Sequence, residues 1–162
     1  MLLFSHTLRR AAIAGVALAF AATAALAQAG RTPTNVDAAG VILKGFDAVA
    51  YQTESRAVKG SAQFTATHDG ATYHFASAAN RDRFVANPAK FEPMYGGYCA
   101  MGVAVGKKLD VDPTAFTVHE GRLFVNVDTK VRGMWAKDVN GNNTKADRNW
   151  AEVSTRTTFD KM

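Results

Sequence analysis

The sequence predicts a small α+β domain with two β-hairpins and about three short helices. Three observations lead there. Two alternating apolar runs are each broken by an acidic residue followed by glycine, at Asp69-Gly70 and Glu120-Gly121. Stretches with helical spacing follow Ser77 and Asp128, residues suited to cap a helix. Once an export signal is set aside, the remaining length suits one hydrophobic core.

The export signal comes first in the chain. "MLLFSHTLRR" ends in Arg9 and Arg10, "AAIAGVALAFAATAALA" is uncharged and apolar, and Ala25-Leu26-Ala27 forms an A-x-A cleavage pattern before Gln28. A membrane anchor fits less well, because the run is alanine-rich, short for a span and followed at once by that pattern. Residues 1–27 are therefore expected to be cleaved, leaving an exported, periplasmic protein with no membrane span. The formal charge of +5 loses two positive charges with Arg9 and Arg10, and the remaining basic residues are scattered, so no nucleic-acid partner is indicated.

Residues 28–40, "QAGRTPTNVDAAG", have the small, polar composition of a flexible leader. The domain is expected over 41–153, with 154–162 as a tail. "VILKGFDAVAYQ" reads as a buried segment followed by a short strand at 49–52. In "AQFTATHDGATYHFAS", the dipeptide Asp69-Gly70 favours a two-residue type I′ turn, because both positions need positive φ. That turn pairs His68 with Ala71, Ala66 with Tyr73 and Phe64 with Phe75. Phe64, Ala66, Tyr73 and Phe75 then share one face with His68 at its rim, and His74 faces away.

Ser77 is expected to cap a helix over "AANRDRFVAN", interrupted at Pro88, with Phe84, Val85 and Phe91 facing inward. A glycine-rich loop follows. "TAFTVHEGRLFVNV" then forms the second hairpin, with Phe116, Val118, Leu123 and Val125 as apolar members. Asp128 caps "TKVRGMWAKDV", where Val131, Met134 and Trp135 fall at helical spacing, and Asn140-Gly141 is expected to end that helix. Thr144 and Asp147 approximate a capping box for a last helix carrying the Ala146/Trp150 pair.

Cys99 is the only cysteine, in "YGGYCAMGVAVGKK". A single cysteine excludes an internal disulfide and any zinc site built on several thiolates. Glycines 96, 97 and 102 free the backbone for close approach to a ligand, while Met101 and Met94 offer thioethers, a soft donor set matched to Cu(I). A buried, inert thiol is the ordinary alternative. Lys107 and Lys108 would lower a nearby thiol's pKa, or serve as solvated loop charges.

His68, His74 and His119 read as surface residues that would ligate only if the fold brought them close to the thiol. Tyr51, Tyr95 and Tyr98 are candidate supports, because a phenol could hydrogen-bond to a thiolate. Their ordinary role is packing. No G-x-S-x-G nucleophile elbow is present, and nothing else marks the chain as an enzyme.

Together "GFDAVAY", the stretch from "VKGSAQF" through "GGYCAMGVAVGKK", "LFVN" and "KADRNW" resemble the YHS domain, in its exported, single-cysteine subgroup that includes selenoproteins. The resemblance implies a small α+β module associated with metal handling, copper transport included. The family's thiolate cluster is absent, since the matching places hold Ala50, Ala76 and Asn80. In selenoprotein members the residue matching Cys99 is selenocysteine, which implies that Cys99 works rather than merely packs.

Three functions follow as expectations. The first is a module binding a soft metal, copper, through Cys99 with Met101 or Met94. The second is a thiol redox protein, which requires a lowered Cys99 pKa and an external partner thiol. The third is a non-catalytic module docking on a membrane or electron-transfer protein.

Overall fold

The computed structural model describes residues 33–162. The expected signal and the first part of the expected leader lie outside the described residues. The described chain is a small α+β domain with two separate two-stranded antiparallel sheets. Strands β1 (Ser61–His68) and β2 (Ala71–Phe75) form one, and β3 (Asp112–His119) and β4 (Arg122–Asn126) the other. Six α-helices are described: α1 (Ala50–Thr53), α2 (Ala78–Ala86), α3 (Pro88–Phe91), α4 (Ala100–Ala104), α5 (Thr129–Ala136) and α6 (Val139–Ser154). Three are single turns or little more, so the three longer helices are the ones the sequence announces. No described helix is long and apolar enough to cross a membrane.

Both acidic-glycine turns form. Asp69 and Gly70 have φ of 46° and 76°, Glu120 and Gly121 of 50° and 73°, the pair of positive angles that a type I′ connection needs. His68 pairs with Ala71 and Ala66 with Tyr73 as expected, but Phe75 lies opposite Ser61 rather than Phe64. The cause is upstream of β1. Gly60 donates to the Gly45 carbonyl at 2.9 Å and Lys59 bridges Phe46, so the strand's start is drawn across to residues 45–46 and the register slips. His74, expected to face away from the core, is half-buried beside Gly45.

Ala50–Thr53 is helical, where a short strand at 49–52 is expected. Asp47 decides this. Its carboxylate is fully buried; Oδ1 accepts from the backbone N–H of Val49 (2.8 Å) and Ala50 (3.3 Å), which closes the first turn of α1. Oδ2 accepts from Ala76 N–H (2.8 Å) and the Asn80 side-chain amide (2.7 Å), so one side chain ties α1 to the end of β2 and to α2.

Ser77 caps α2 as expected, accepting from Asn80 N–H at 3.2 Å. Phe84 points inward, but Val85 is 60% exposed, because the adjacent helical position is rotated by about 100°. Asp128 caps α5 through Val131 N–H at 2.7 Å. Met134 is exposed there, while Trp135 is buried. Asn140-Gly141 does not end a helix. Asp138 starts α6 by accepting from Gly141 N–H at 2.9 Å, and a Cβ at Gly141 would meet the Asp138 carboxylate. Thr144 therefore lies inside α6, its hydroxyl bonded back to the Asn140 carbonyl at 2.9 Å.

β4 is buried on both faces. Leu123 and Val125 join a cluster with Ile42, Tyr51, Tyr73 and Phe84, while Phe124 turns to a second cluster and meets Trp135 at 5.0 Å between ring centroids. Both ends of the domain pack on this body. Asn35 N–H donates to the Gly96 carbonyl at 2.8 Å, so chain expected to be leader already contacts the fold. Past α6, Asp160 accepts from Lys108 N–H at 2.7 Å and Phe159 packs against Tyr98.

Replacing Asp47 tests its part in this arrangement. Asp47→Ala should destabilise the fold by roughly 3 kcal/mol or more, since four donors, three of them buried, lose their acceptor. Asp47→Asn should restore less than half of that, because its amide nitrogen would face donors on one side. Urea unfolding would show a lower midpoint at unchanged slope. A loss under about 1 kcal/mol for Asp47→Ala would mean that α1 and α2 hold without the carboxylate.

Candidate functional site

The expected glycine-rich loop is mostly structured. Met94–Gly97 forms a 3-10 turn in which Tyr95 (φ 53°) and Gly96 (φ 59°) are left-handed. Gly96 is required by close approach, because a Cβ there would sit 2.0 Å from the Pro33 carbonyl oxygen. Its freedom thus serves packing against the N-terminal segment, not a ligand. Tyr95 takes a conformation that costs a side-chain-bearing residue about 1–2 kcal/mol. Its hydroxyl lies 2.6 Å from Asn143 Oδ1 and 2.8 Å from Asp147 Oδ1, contacts to α6 large enough to offset that cost.

Cys99 follows as the N-cap of α4, its N–H bonded to the Leu109 carbonyl at 3.1 Å. The side chain is 0% exposed. Sγ accepts from Gly102 N–H at 3.3 Å and lies 3.8 Å from Asn126 Oδ1, which also accepts from Met101 N–H at 3.2 Å. Asn126 is fully buried, and its Nδ2 has no partner among the described residues. Beyond Ala104 the chain closes with Lys107 N–H on the Gly102 carbonyl and Gly106 N–H on Val103, a Schellman pattern that turns it back toward Leu109.

Burial pushes the Cys99 thiol above its ordinary pKa. Backbone N–H groups of Gly102, Val127 and Met101 pull it down, and the charge of Asp128 pushes it further up. The two lysines are engaged elsewhere. Lys107 Nζ bonds the Lys161 carbonyl, and Lys108 Nζ bonds the Arg156 carbonyl and lies 4.6 Å from the centre of the Tyr98 ring.

The phenols also look away from the thiol. Tyr51 donates to the Pro113 carbonyl (2.9 Å) and Tyr98 to the Thr34 carbonyl (3.2 Å), while Tyr95 is held by α6. His68 Nε2 is 3.2 Å from Glu92, His119 Nε2 is 3.1 Å from Asn140 Oδ1, and His74 lies beside Gly45. None of the three is among the hydrogen-bond partners of Cys99 described above.

The two candidate thioethers separate. Met101 lines an apolar cavity of about 260 Å³ together with Met134 from α5 and Met162 from the C-terminal segment. Its floor includes Leu109, Val127 and Val131, which pack in the same core cluster as Cys99. Met94 instead lines a different cavity, beside Glu92 and Tyr95. Sequence reasoning missed Asn126, Met134 and Met162. The polar residue closing the apolar run "LFVN" was a visible signal for the first; nothing local marked the methionines, which meet only through tertiary packing.

No family model matches the chain, and no curated protein or solved structure is found similar to it.

The raised thiol gives a stability effect with a definite sign. The folded state keeps its thiol proton at a pH where the unfolded chain has lost it, so this stabilisation is complete below the unfolded pKa and fades as pH rises toward the folded one. Unfolding free energy should therefore fall above about pH 8.5, by at most about 1.4 kcal/mol per pH unit, and Cys99→Ala should remove that slope. Tyrosines raised by burial, Tyr51 and Tyr73 among them, act only at higher pH. Urea unfolding from about pH 7.5 to about 9.5 reads the difference, and parallel curves for the two proteins would contradict it.

Proposed function

We propose that the chain is an exported, YHS-like module that binds a soft metal ion, copper(I), through Cys99 and the thioethers beside it. One observation carries this. Met101, Met134 and Met162 line one apolar cavity, and Leu109, Val127 and Val131 of its lining belong to or pack against the core cluster that contains Cys99. Thiolate and thioether sulfur together suit Cu(I) better than zinc or magnesium. Met101 and Met134 would supply the thioethers, with Met94 outside the set.

The thiol's surroundings support a metal ligand over a free nucleophile. Burial keeps Cys99 protonated, opposite to the lowered pKa that redox cycling needs. A bound cation adds the missing charge, since metal ligation deprotonates a thiol outright. The Gly102 N–H would then donate to the resulting thiolate and hold its orientation.

Anaerobic titration of Cu(I) into the purified protein against a coloured chelator tests this. One equivalent should bind, Met101→Leu and Met134→Leu should each weaken it by about tenfold or more, and Met94→Leu should leave it unchanged. Cys99→Ser should weaken it most. Equal affinity in the parent protein, Cys99→Ser and Met101→Leu would overturn the proposal.

A further inference from the structure

Asn126 ends the buried strand β4 with a carboxamide set against the sulfur of Cys99. The residue is 0% exposed. Its Oδ1 lies 3.8 Å from Cys99 Sγ, within reach of the thiol proton, and accepts from Met101 N–H at 3.2 Å. Its Nδ2 has no hydrogen-bond partner among the described residues. Burying an amide nitrogen without an acceptor is unfavourable, so one end of this side chain is satisfied at the expense of the other.

The protonation of the sulfur explains the choice. A thiol is a donor and Met101 N–H is a second donor, so both call for the amide oxygen. Turning the amide over would aim Nδ2 at two donors. Copper(I) binding changes the sulfur's role: the S–H bond breaks, its proton leaves to the buffer, and the electron pair it leaves on sulfur bonds the metal. The sulfur is then an acceptor only, and Oδ1 beside it would set two acceptors face to face.

The surroundings suit the opposite arrangement. The nitrogen and oxygen of a carboxamide are close in size, so a half-turn about the last side-chain bond exchanges them without changing the volume packed under β4. Met101 N–H keeps an acceptor after that turn, because it already acts on Cys99 Sγ in the sense that favours the thiolate, as do the N–H groups of Gly102 and Val127. Gly102 N–H is 3.3 Å from the sulfur. Hydrogen bonds to a charged acceptor are roughly twice as strong as neutral ones, so the thiolate attracts both the amide and the Met101 N–H.

We propose that Asn126 is the positioning residue of the Cys99 site: its carboxamide turns from accepting the thiol proton through Oδ1 to donating Nδ2–H to the metal-bound thiolate. That role rests on copper(I) ligation by Cys99, and the amide itself does not touch the ion. It orients the sulfur and gains the acceptor that the buried nitrogen lacks in the metal-free protein.

Anaerobic ¹H–¹⁵N spectra of the purified protein, with and without one equivalent of Cu(I), test this. One of the two Asn126 side-chain amide protons should move downfield on metal addition, while the Asn142 amide, bonded to the Trp135 carbonyl at 3.2 Å, stays in place. In Cys99→Ser the Asn126 signals should not move. Asn126→Leu, which keeps the volume and removes the amide, should weaken Cu(I) binding by about tenfold or more. Should that variant fail to fold, the spectra of the parent protein decide alone. Unmoved Asn126 signals in protein that has bound Cu(I), or full affinity in folded Asn126→Leu, would overturn this role and leave the copper reading standing. No Cu(I) binding by the parent protein would overturn both.

Discussion

A single buried carboxylate organises the first half of the domain. Asp47 accepts two backbone N–H groups from the start of α1, one from the residue after β2 and the side-chain amide of Asn80 in α2. A charge taken out of water is costly unless its acceptor sites are filled, and here the four donors come from three elements. Those elements must therefore arrive together. Tyr73, Phe75 and Phe84 pack into one cluster as a consequence, with Tyr73 and Phe84 ring centroids 4.3 Å apart.

The second organising constraint is β4. Its Leu123 and Val125 face the cluster that Asp47 assembles, and Phe124 faces Trp135 in the other, so the strand is the wall between two cores. A strand buried on both sides has no polar face to spend on solvent. Asn126, at its end, is accordingly turned inward, where its Oδ1 meets the Met101 N–H and the Cys99 sulfur. The position of the thiol thus follows from how β4 is covered by α4, α5 and α6, not from the glycines around it.

What was legible in the sequence was local. Asp69-Gly70 and Glu120-Gly121 fix their turns through backbone angles, and Ser77 and Asp128 fix helix starts through one side-chain bond each, so short-range chemistry sufficed. What was not legible depended on partners far along the chain. The apolar residues at 49–51 gave no sign that the Asp47 carboxylate would close a helical turn there, and Asn140-Gly141 looked like a helix end because the competing cap, Asp138, lay two residues earlier. The site divided the same way. Cys99 and Met101 stand out in the sequence by their chemistry, whereas Met134 and Met162 meet Met101, and Asn126 meets both Cys99 and Met101, only through tertiary packing, and Met94, only five residues from Cys99, lines another cavity.

That division also separates the methionines. Met94 lines the cavity bordered by Asp69 and Glu92, while Met101, Met134 and Met162 line the one above the Cys99 core. Burial withholds the Cys99 thiolate, and a bound cation would compensate it. Proton release would therefore accompany metal binding at the thiol, which makes the buffer dependence of the binding heat a physical test of thiol ligation.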